Sequence, residues 1–392
     1  DIKSHGDKAV IKYTKLFDGL DISNMKVEAE HLENAEQNIL ASLKTAIDTA
    51  YENIYKFHQA QKQNTVKVET QIGVTCWQAS KPIEKVGLYI PGGTAPLFSS
   101  ILMLGIPAKI ADCKEVVLVT PPQKTGKVHP AMLYAAQKCG IKNIFQVGGI
   151  QAVAAMTFGT ETIPSVYKIF GPGNQYVTVA KQVATTHKVA IDMPAGPSEL
   201  LVLADESANP EYVASDLLSQ AEHGVDSQVV LVTTSKEFAR ATEKALLTQL
   251  ENLPRKVIAT EAIKHSKMIV IEDMTKAVEL SNFYSPEHLI VCVNDESEVV
   301  ESITNAGSVF IGNYTPESAG DYASGTNHTL PTNAFARQYS GVNLDAFNKK
   351  ITYQKITKEG LKHLGSHIEI MAETEELQAH KNAVSLRLKD IE

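Results

Sequence analysis

The chain has 392 residues, 43% of them hydrophobic, which is enough for two or three domains with substantial cores. Thirty-seven Lys and Arg against forty-five Asp and Glu leave a formal charge of −8, which argues against a general nucleic-acid or anionic-membrane partner. The four cysteines (Cys76, Cys113, Cys139 and Cys292) form no close pair, so no zinc knuckle, CxxC redox site or disulfide framework is indicated, and a reducing cytoplasm fits.

The sequence opens at Asp1 inside a helical pattern, with no secretory signal, and a further segment is expected upstream. Residues 1 to about 64 repeat apolar positions at helical spacing, as in Ala9-Val10, Tyr13 and Leu16-Phe17, and again from Leu32 through Phe57. From Lys85 onwards β-branched runs (VGLYI, EVVLVT, NIFQV, VYKIF) alternate with helix-like stretches, a βαβ pattern. The longest apolar stretch, Leu97 to Ala111, is broken by Ser99, Ser100, Gly105, Pro107 and Lys109, and does not read as a membrane span. Turn residues from Ile191 to Pro197 interrupt the series. A second one follows: ELLVLAD, QVVLVTT, MIVIED, HLIVCV and SVFIG. After Thr332 the strand signal fades, and the final thirty or so residues read as helix, with Thr374 as its N-cap and Glu375 and Glu376 at the positive helix end.

Three strands of the first series end in glycine: YIPGGTAP at 89–96, QVGGIQA at 146–152 and IFGPGNQYV at 169–177. Glycine there lets a ligand approach the backbone, and the following helix offers unpaired N–H groups to phosphate. None is a GxGxxG, so each could equally be a structural βα turn. Asn174 can cap its helix or bond a ligand.

The titratable groups lie later. Gln220 and His223, three apart near a helix end, share a face; His223 either ligates a metal or profits from the negative helix end. Ser285-Pro286-Glu287-His288 sets an acid beside a base at a strand boundary. Regular pleating would point the two to opposite sides, and an exposed Glu-His pair is the alternative. The run SVFIGN at 308–313 empties into a loop of small residues carrying Asp321 and His328, where Gly320 and Gly325 permit sharp turns. A polar surface loop is the alternative reading. His380 shares a helix face with Leu377 and Val384 and is expected to point inward, as a core residue, an interface residue or a ligand. Cys113 could be a nucleophile, but it lies just before its strand, at the end opposite the glycine turns, which favours packing.

Taken together, VGLYIPGGTAPLFSSILMLGIPAKIA, GPGNQYVTVAKQ, DMPAGPSELLVLAD, DLLSQAEHG, SPEHL, GDYASGTNHTLPT and GLKHLGSHIEIMAETEELQAHKNAV closely resemble the histidinol dehydrogenase family over nearly the whole chain. The resemblance implies an α/β fold of two incomplete Rossmann-like parallel-sheet units, aldehyde-dehydrogenase-like, with helical N- and C-terminal segments exchanged in a homodimer. The expected division is 1–88 plus 197–342 for the zinc and acid–base residues, 89–196 for the NAD-binding turns, and a tail at 343–392 completing the partner's site. The implied reaction is the four-electron oxidation of L-histidinol to L-histidine through L-histidinaldehyde, reducing two NAD, as the last step of histidine biosynthesis. It further implies one zinc per site on Gln220, His223, Asp321 and His380, with Glu287 and His288 as the acid–base pair. Ser198, His328 and Glu375 match substrate contacts, and Tyr89, Gln151 and Asn174 match NAD contacts; His380 and Glu375 would come from the partner subunit. A zinc hydrolase, a Cys113-dependent aldehyde dehydrogenase and a non-catalytic binding module are the rival readings.

Overall fold

The computed structural model describes residues 1–22, 24–92, 95–123, 126–194 and 196–391. Gly93 and Thr94 of the first glycine turn and Ala195 of the interruption lie outside the described residues. The chain divides into two compact units: Asp1–Gln61 with Ile83–Phe347, and Lys62–Pro82 with Asn348–Glu392.

The helical lead-in is realised as Ile2–Asp18, which buries Ala9 and Val10, and Ala41–Gln59, which buries Ile47, Ala50, Tyr51 and Ile54 on one face. Next, in the smaller unit, β1 (Val66–Gln71) and β2 (Val74–Pro82) form an antiparallel hairpin. Its strands carry no apolar run because β1 is exposed almost throughout.

β3 (Lys85–Tyr89), β4 (Glu115–Val119), β5 (Asn143–Phe145), β6 (Lys168–Phe170) and β7 (Ala190–Ile191) build a parallel sheet in the order β5-β4-β3-β6-β7. A second parallel sheet holds β8 (Glu199–Ala204), β9 (Gln228–Thr233), β10 (Lys267–Val270), β11 (His288–Cys292) and β12 (Ser308–Ile311), in the order β10-β9-β8-β11-β12. In each sheet the first strand is central, the next two extend to one side and the last two to the other. That is the half-Rossmann winding, and it puts a switch in strand direction of travel beside β3 and β6, and beside β8 and β11. The strands read as continuous apolar runs because both sheet faces are covered. Leu118 packs into one core cluster while Val117 and Val119 pack into another; Leu200 and Val202 are likewise separated from Leu201 and Leu203.

The broken apolar stretch becomes the helix Phe98–Ala111, buried almost all round, as a helix without a polar face must be. No helix among the described residues is long and apolar enough to cross a membrane.

The smaller unit corrects two expectations. The strand signal does not end at Thr332: β13 (Asn348–Ile356) pairs along its whole length with β2 to give the antiparallel sheet β1-β2-β13. Its lysine-rich, mostly exposed residues hide it from a search for apolar alternation. Thr374 is not an N-cap. It ends the helix Lys358–Thr374, its hydroxyl donates to Ile370 O, and Leu377 precedes the next helix, Gln378–Lys389, without a side-chain cap. Glu375 therefore sits at a helix C-terminus.

Within the larger unit the rings of Phe170 and Phe347 stack at 4.0 Å between centroids, and both are fully buried. Truncation there leaves a cavity that neighbouring strands cannot close. Phe347→Ala is expected to lose about 3–5 kcal/mol, read as a lowered thermal or urea midpoint.

Candidate active site

The first sheet delivers its glycine turns at the carboxyl ends of β3, β5 and β6. Tyr89 is the last residue of β3, and its buried hydroxyl accepts the Gly149 N–H at 3.1 Å. Gly149 has φ +65°, a conformation that favours glycine, and opens the helix Gly149–Phe158. On that helix Gln151 is buried and donates to Asp18 Oδ2 at 3.0 Å, while its Oε1 has no hydrogen-bond partner. Asn174 is exposed and caps Gln175–Thr185, accepting from the Tyr176 and Val177 N–H groups.

The titratable groups gather at the opposite, amino end of the second sheet. His288 begins β11, paired with Leu200 of β8 and Ser308 of β12. Ser285, just before it, takes φ +57°, so the chain enters β11 out of regular pleat. The consequence is that Glu287 and His288 face one another, Oε2 to Nδ1 at 3.6 Å, and both are buried rather than exposed. Glu287 Oε2 also accepts the Glu199 N–H at 2.9 Å.

The segment expected as a loop after β12 holds a short helix, Glu317–Tyr322. Gly320 is needed there for packing, not for turning: a Cβ would fall 2.6 Å from the Phe310 ring. Gly325, at φ +122°, does make the turn. The helix sets Asp321 Oδ1 3.5 Å from His288 Nε2, and the next turn of chain returns His328, whose Nδ1 bonds the Asp321 carbonyl at 2.9 Å. That bond fixes the ring, so in the neutral form Nε2 accepts from Ser100 Oγ at 3.1 Å.

Gln220, in the last turn of Pro210–Ala221, donates through Nε2 to Glu199 O at 3.1 Å and lies 3.2 Å from His288 Nδ1. His288 Nδ1 also reaches Glu199 O at 3.2 Å, so the neutral ring accepts from Gln220 and the protonated ring donates to the carbonyl. His223 follows the helix end and is exposed, yet the protein around it desolvates the ring and lowers its pKa, with Asp321 opposing. Ser198 is half-buried one residue before β8. Glu375 and His380 belong to the smaller unit and are exposed there; the helix carrying His380 buries none of its residues, so the ring does not point into a core of this chain.

Burial opposes charge on His288, but Glu287, Glu317 and Asp321 outweigh it and push the ring up to about 10. Burial raises Glu287 to about 7, against the pull of His288. Asp321 is held below its usual range because the His288 bond and charge overcome its desolvation. Glu317, 1% exposed and with Oε2 unbonded, completes a group in which His288, Glu317 and Asp321 donor atoms lie within 4.8 Å of one another. Gln220 Oε1 is buried without a hydrogen-bond partner as well. Orphaned acceptors around an ionised carboxylate are what a divalent cation would satisfy, and oxygen and imidazole donors suit it.

The profile of the histidinol dehydrogenase family matches residues 1–388. Histidinol dehydrogenase of Bacteroides thetaiotaomicron is 58% identical over 100% of this chain and 91% of its own length. This chain belongs to the histidinol dehydrogenase family. The crystal structure of histidinol dehydrogenase from Elizabethkingia anophelis is similar at 56% identity and TM-score 0.98, covering 100% of this chain and 90% of that one. An acetylating aldehyde dehydrogenase from Geobacillus thermoglucosidasius shares the fold, at 15% identity and TM-score 0.52 over 83% of this chain and 86% of that one. The family is an NAD-dependent group of oxidoreductases that catalyses the final step of histidine biosynthesis.

A thiol mechanism on the aldehyde-dehydrogenase pattern has no support here. Burial pushes the Cys113 thiol up to about 12, which removes the thiolate at neutral pH. Three residues that the structure brings to this group are not foreseen by the sequence patterns: Glu199, Glu317 and Ser100. Glu317 had a usable signal, since it stands four before Asp321 and so shares its face once the segment is known to be helical.

Asp216 lies one turn before Gln220 on the buried side of the same helix, and desolvation raises its carboxyl from 3.8 to about 7. The folded state therefore holds this proton more tightly, and stability declines as pH rises from about 4 through about 7. In Asp216→Asn the thermal midpoint relative to wild type should be higher at pH 8 than at pH 5, by about 2–4 °C, in paired scans.

Proposed function

We propose that the protein oxidises L-histidinol to L-histidine through L-histidinaldehyde, a four-electron change that reduces two NAD in sequence. The observation that carries this reading is His288, a buried base held between Gln220, Glu287 and Asp321 in a chain of this family. Gln220, His223 and Asp321 would hold the zinc, with His380 as a fourth ligand. Zinc bound there would orient the substrate and, as a positive charge beside Asp321, counter the carboxylates that raise His288.

His288 takes the hydroxyl proton as the same carbon loses hydride to the nicotinamide, which leaves the aldehyde. Glu287, raised by burial into the range where it exchanges a proton at neutral pH, draws a proton from water as the oxygen adds to that carbonyl. His288 gives the proton it took to the carbonyl oxygen as the hydrate forms. The freed ring then takes a hydroxyl proton of the hydrate as the carbon loses its second hydride to a second NAD, leaving the carboxylic acid, which is released as the carboxylate. Ser198, His328 and Glu375 would hold the substrate; His328 is already oriented by the Asp321 carbonyl and Ser100. Tyr89, Gln151 and Asn174 would contact NAD at the glycine turns.

Glu375 and His380 would be supplied by a second copy of the chain, in a homodimer with exchanged terminal segments. In support, both are exposed, and the helices Lys358–Thr374 and Gln378–Lys389 with the turn between them also expose Ile370, Met371, Leu377 and Leu386, an apolar surface that a partner would cover. The four free cysteines agree with the reducing cytoplasm proposed as its compartment.

Incubation with zinc, NAD and L-histidinol should yield about two NADH per histidine, the ratio set by a four-electron oxidation with a two-electron carrier. A ratio of one would mean release at the aldehyde, and no NADH would overturn the reading. In separate assays of alcohol and aldehyde oxidation, His288→Asn should abolish both, on the order of a thousandfold. Glu287→Gln should mainly slow the aldehyde step, and equal losses in both would defeat this division of roles.

A further inference from the structure

We propose that the buried ion pair of Lys181 and Asp192 is a positioning device for the nucleotide, clamping both backbone groups of Gly171 and through them the glycine turns that receive NAD. The proposal rests on the reading that NAD binds at those turns. Lys181 stands in the helix Gln175–Thr185, and Asp192 directly follows β7. Their side chains are 3% and 1% exposed and in direct contact. Lys181 Nζ also donates to Gly171 O at 2.8 Å, and Asp192 Oδ2 accepts the Gly171 N–H at 2.7 Å. Asp192 Oδ1 further accepts the Met193 N–H at 2.7 Å. Two opposite charges thus hold the two polar backbone groups of one residue.

The residue they hold is strained and crowded. Gly171 has φ +122°, and a Cβ there would lie 1.9 Å from the Tyr89 carbonyl oxygen. The end of β6 is therefore pressed onto the end of β3. Tyr89 in turn receives the Gly149 N–H through its hydroxyl, so one line of contacts runs from the ion pair through Gly171 and Tyr89 to the second glycine turn. The same lysine anchors the helix capped by Asn174, the third turn's own helix.

Burying a lysine and an aspartate is costly, and a well-packed apolar pair would stabilise the fold at least as well. What charges add is direction: a lysine can hold only an acceptor and an aspartate only a donor, which fixes the Gly171 peptide groups in one orientation. Both residues flank the last two strands of the first sheet, while the acid–base residues stand at the head of β11 in the second. The clamp should therefore act on NAD and not on histidinol.

The test compares wild type with Asp192→Asn, Lys181→Met and the double variant Lys181→Met/Asp192→Asn, assayed for NADH with separate NAD and histidinol saturation curves and for thermal midpoint. The expected result is an NAD KM raised about tenfold in all variants, with kcat at saturating NAD and histidinol KM within about twofold of wild type. Lys181→Met leaves a lone buried carboxylate and can fold poorly; the double variant carries no such charge and should recover the midpoint without recovering the NAD KM. A double variant with the wild-type NAD KM, or one in which both KM values rise together, overturns the clamp. Absence of NADH formation by wild type overturns the underlying reading and the clamp with it, whereas active wild type with unchanged variants overturns the clamp alone.

Discussion

The arrangement depends on one enclosed ring. His288 is buried at the head of β11 with Glu287 and Asp321 within 3.6 Å of its nitrogens and Glu317 close behind. Three carboxylates around one imidazole would be unfavourable in an apolar interior unless positive charge met them, and the ring supplies one such charge. Everything near it is arranged to hold it still: the Glu199 carbonyl, the Gln220 amide, and the Phe310 ring 5.9 Å away. A base so placed has its proton affinity set by its neighbours, and any cation added beside Asp321 shifts that balance directly.

The two sheets divide the chemistry between them. The first presents its carboxyl ends, with the glycine turns proposed to receive NAD, and the second presents its amino ends, where side chains of β8, β11 and the segment after β12 converge. Helices on both faces of each sheet make the strands rigid, so groups at strand ends are placed to within small tolerances. Ser100, on the helix after the first glycine turn, bonds His328 from the second sheet's loop, a direct link between the halves of the larger unit.

Much of this was legible from residue order alone, because the physics involved is local. Continuous apolar runs announced nine of the ten parallel strands among the described residues, the two-residue β7 being lost in the turn residues after it, and Pro286 and the glycines marked where chain direction changes. The family resemblance implies Gln220, His223, Asp321 and His380 as one zinc set, a grouping that spacing alone does not suggest. Other features were hidden. The β1-β2-β13 sheet is exposed on most of its surface, so its strands lack the apolar signature that burial imposes. Asp321 was read as a loop residue because glycine and serine dominate its neighbours, yet the segment winds into a helix against Phe310.

Sequence by itself determined the fold class, the sites of the glycine turns and the inventory of acids and bases, since these follow from periodicity and composition. Tertiary structure decided which of them act on one another. Glu287 and His288 are adjacent in sequence, and regular pleating would separate them; the positive φ at Ser285 turns both inward. Glu317 and Glu199 gain their meaning only when strands far apart in the chain lie side by side, and the Lys181–Asp192 pair only when a helix and the end of β7 fold back on Gly171, because electrostatic effects depend on distance and burial, which no local pattern encodes.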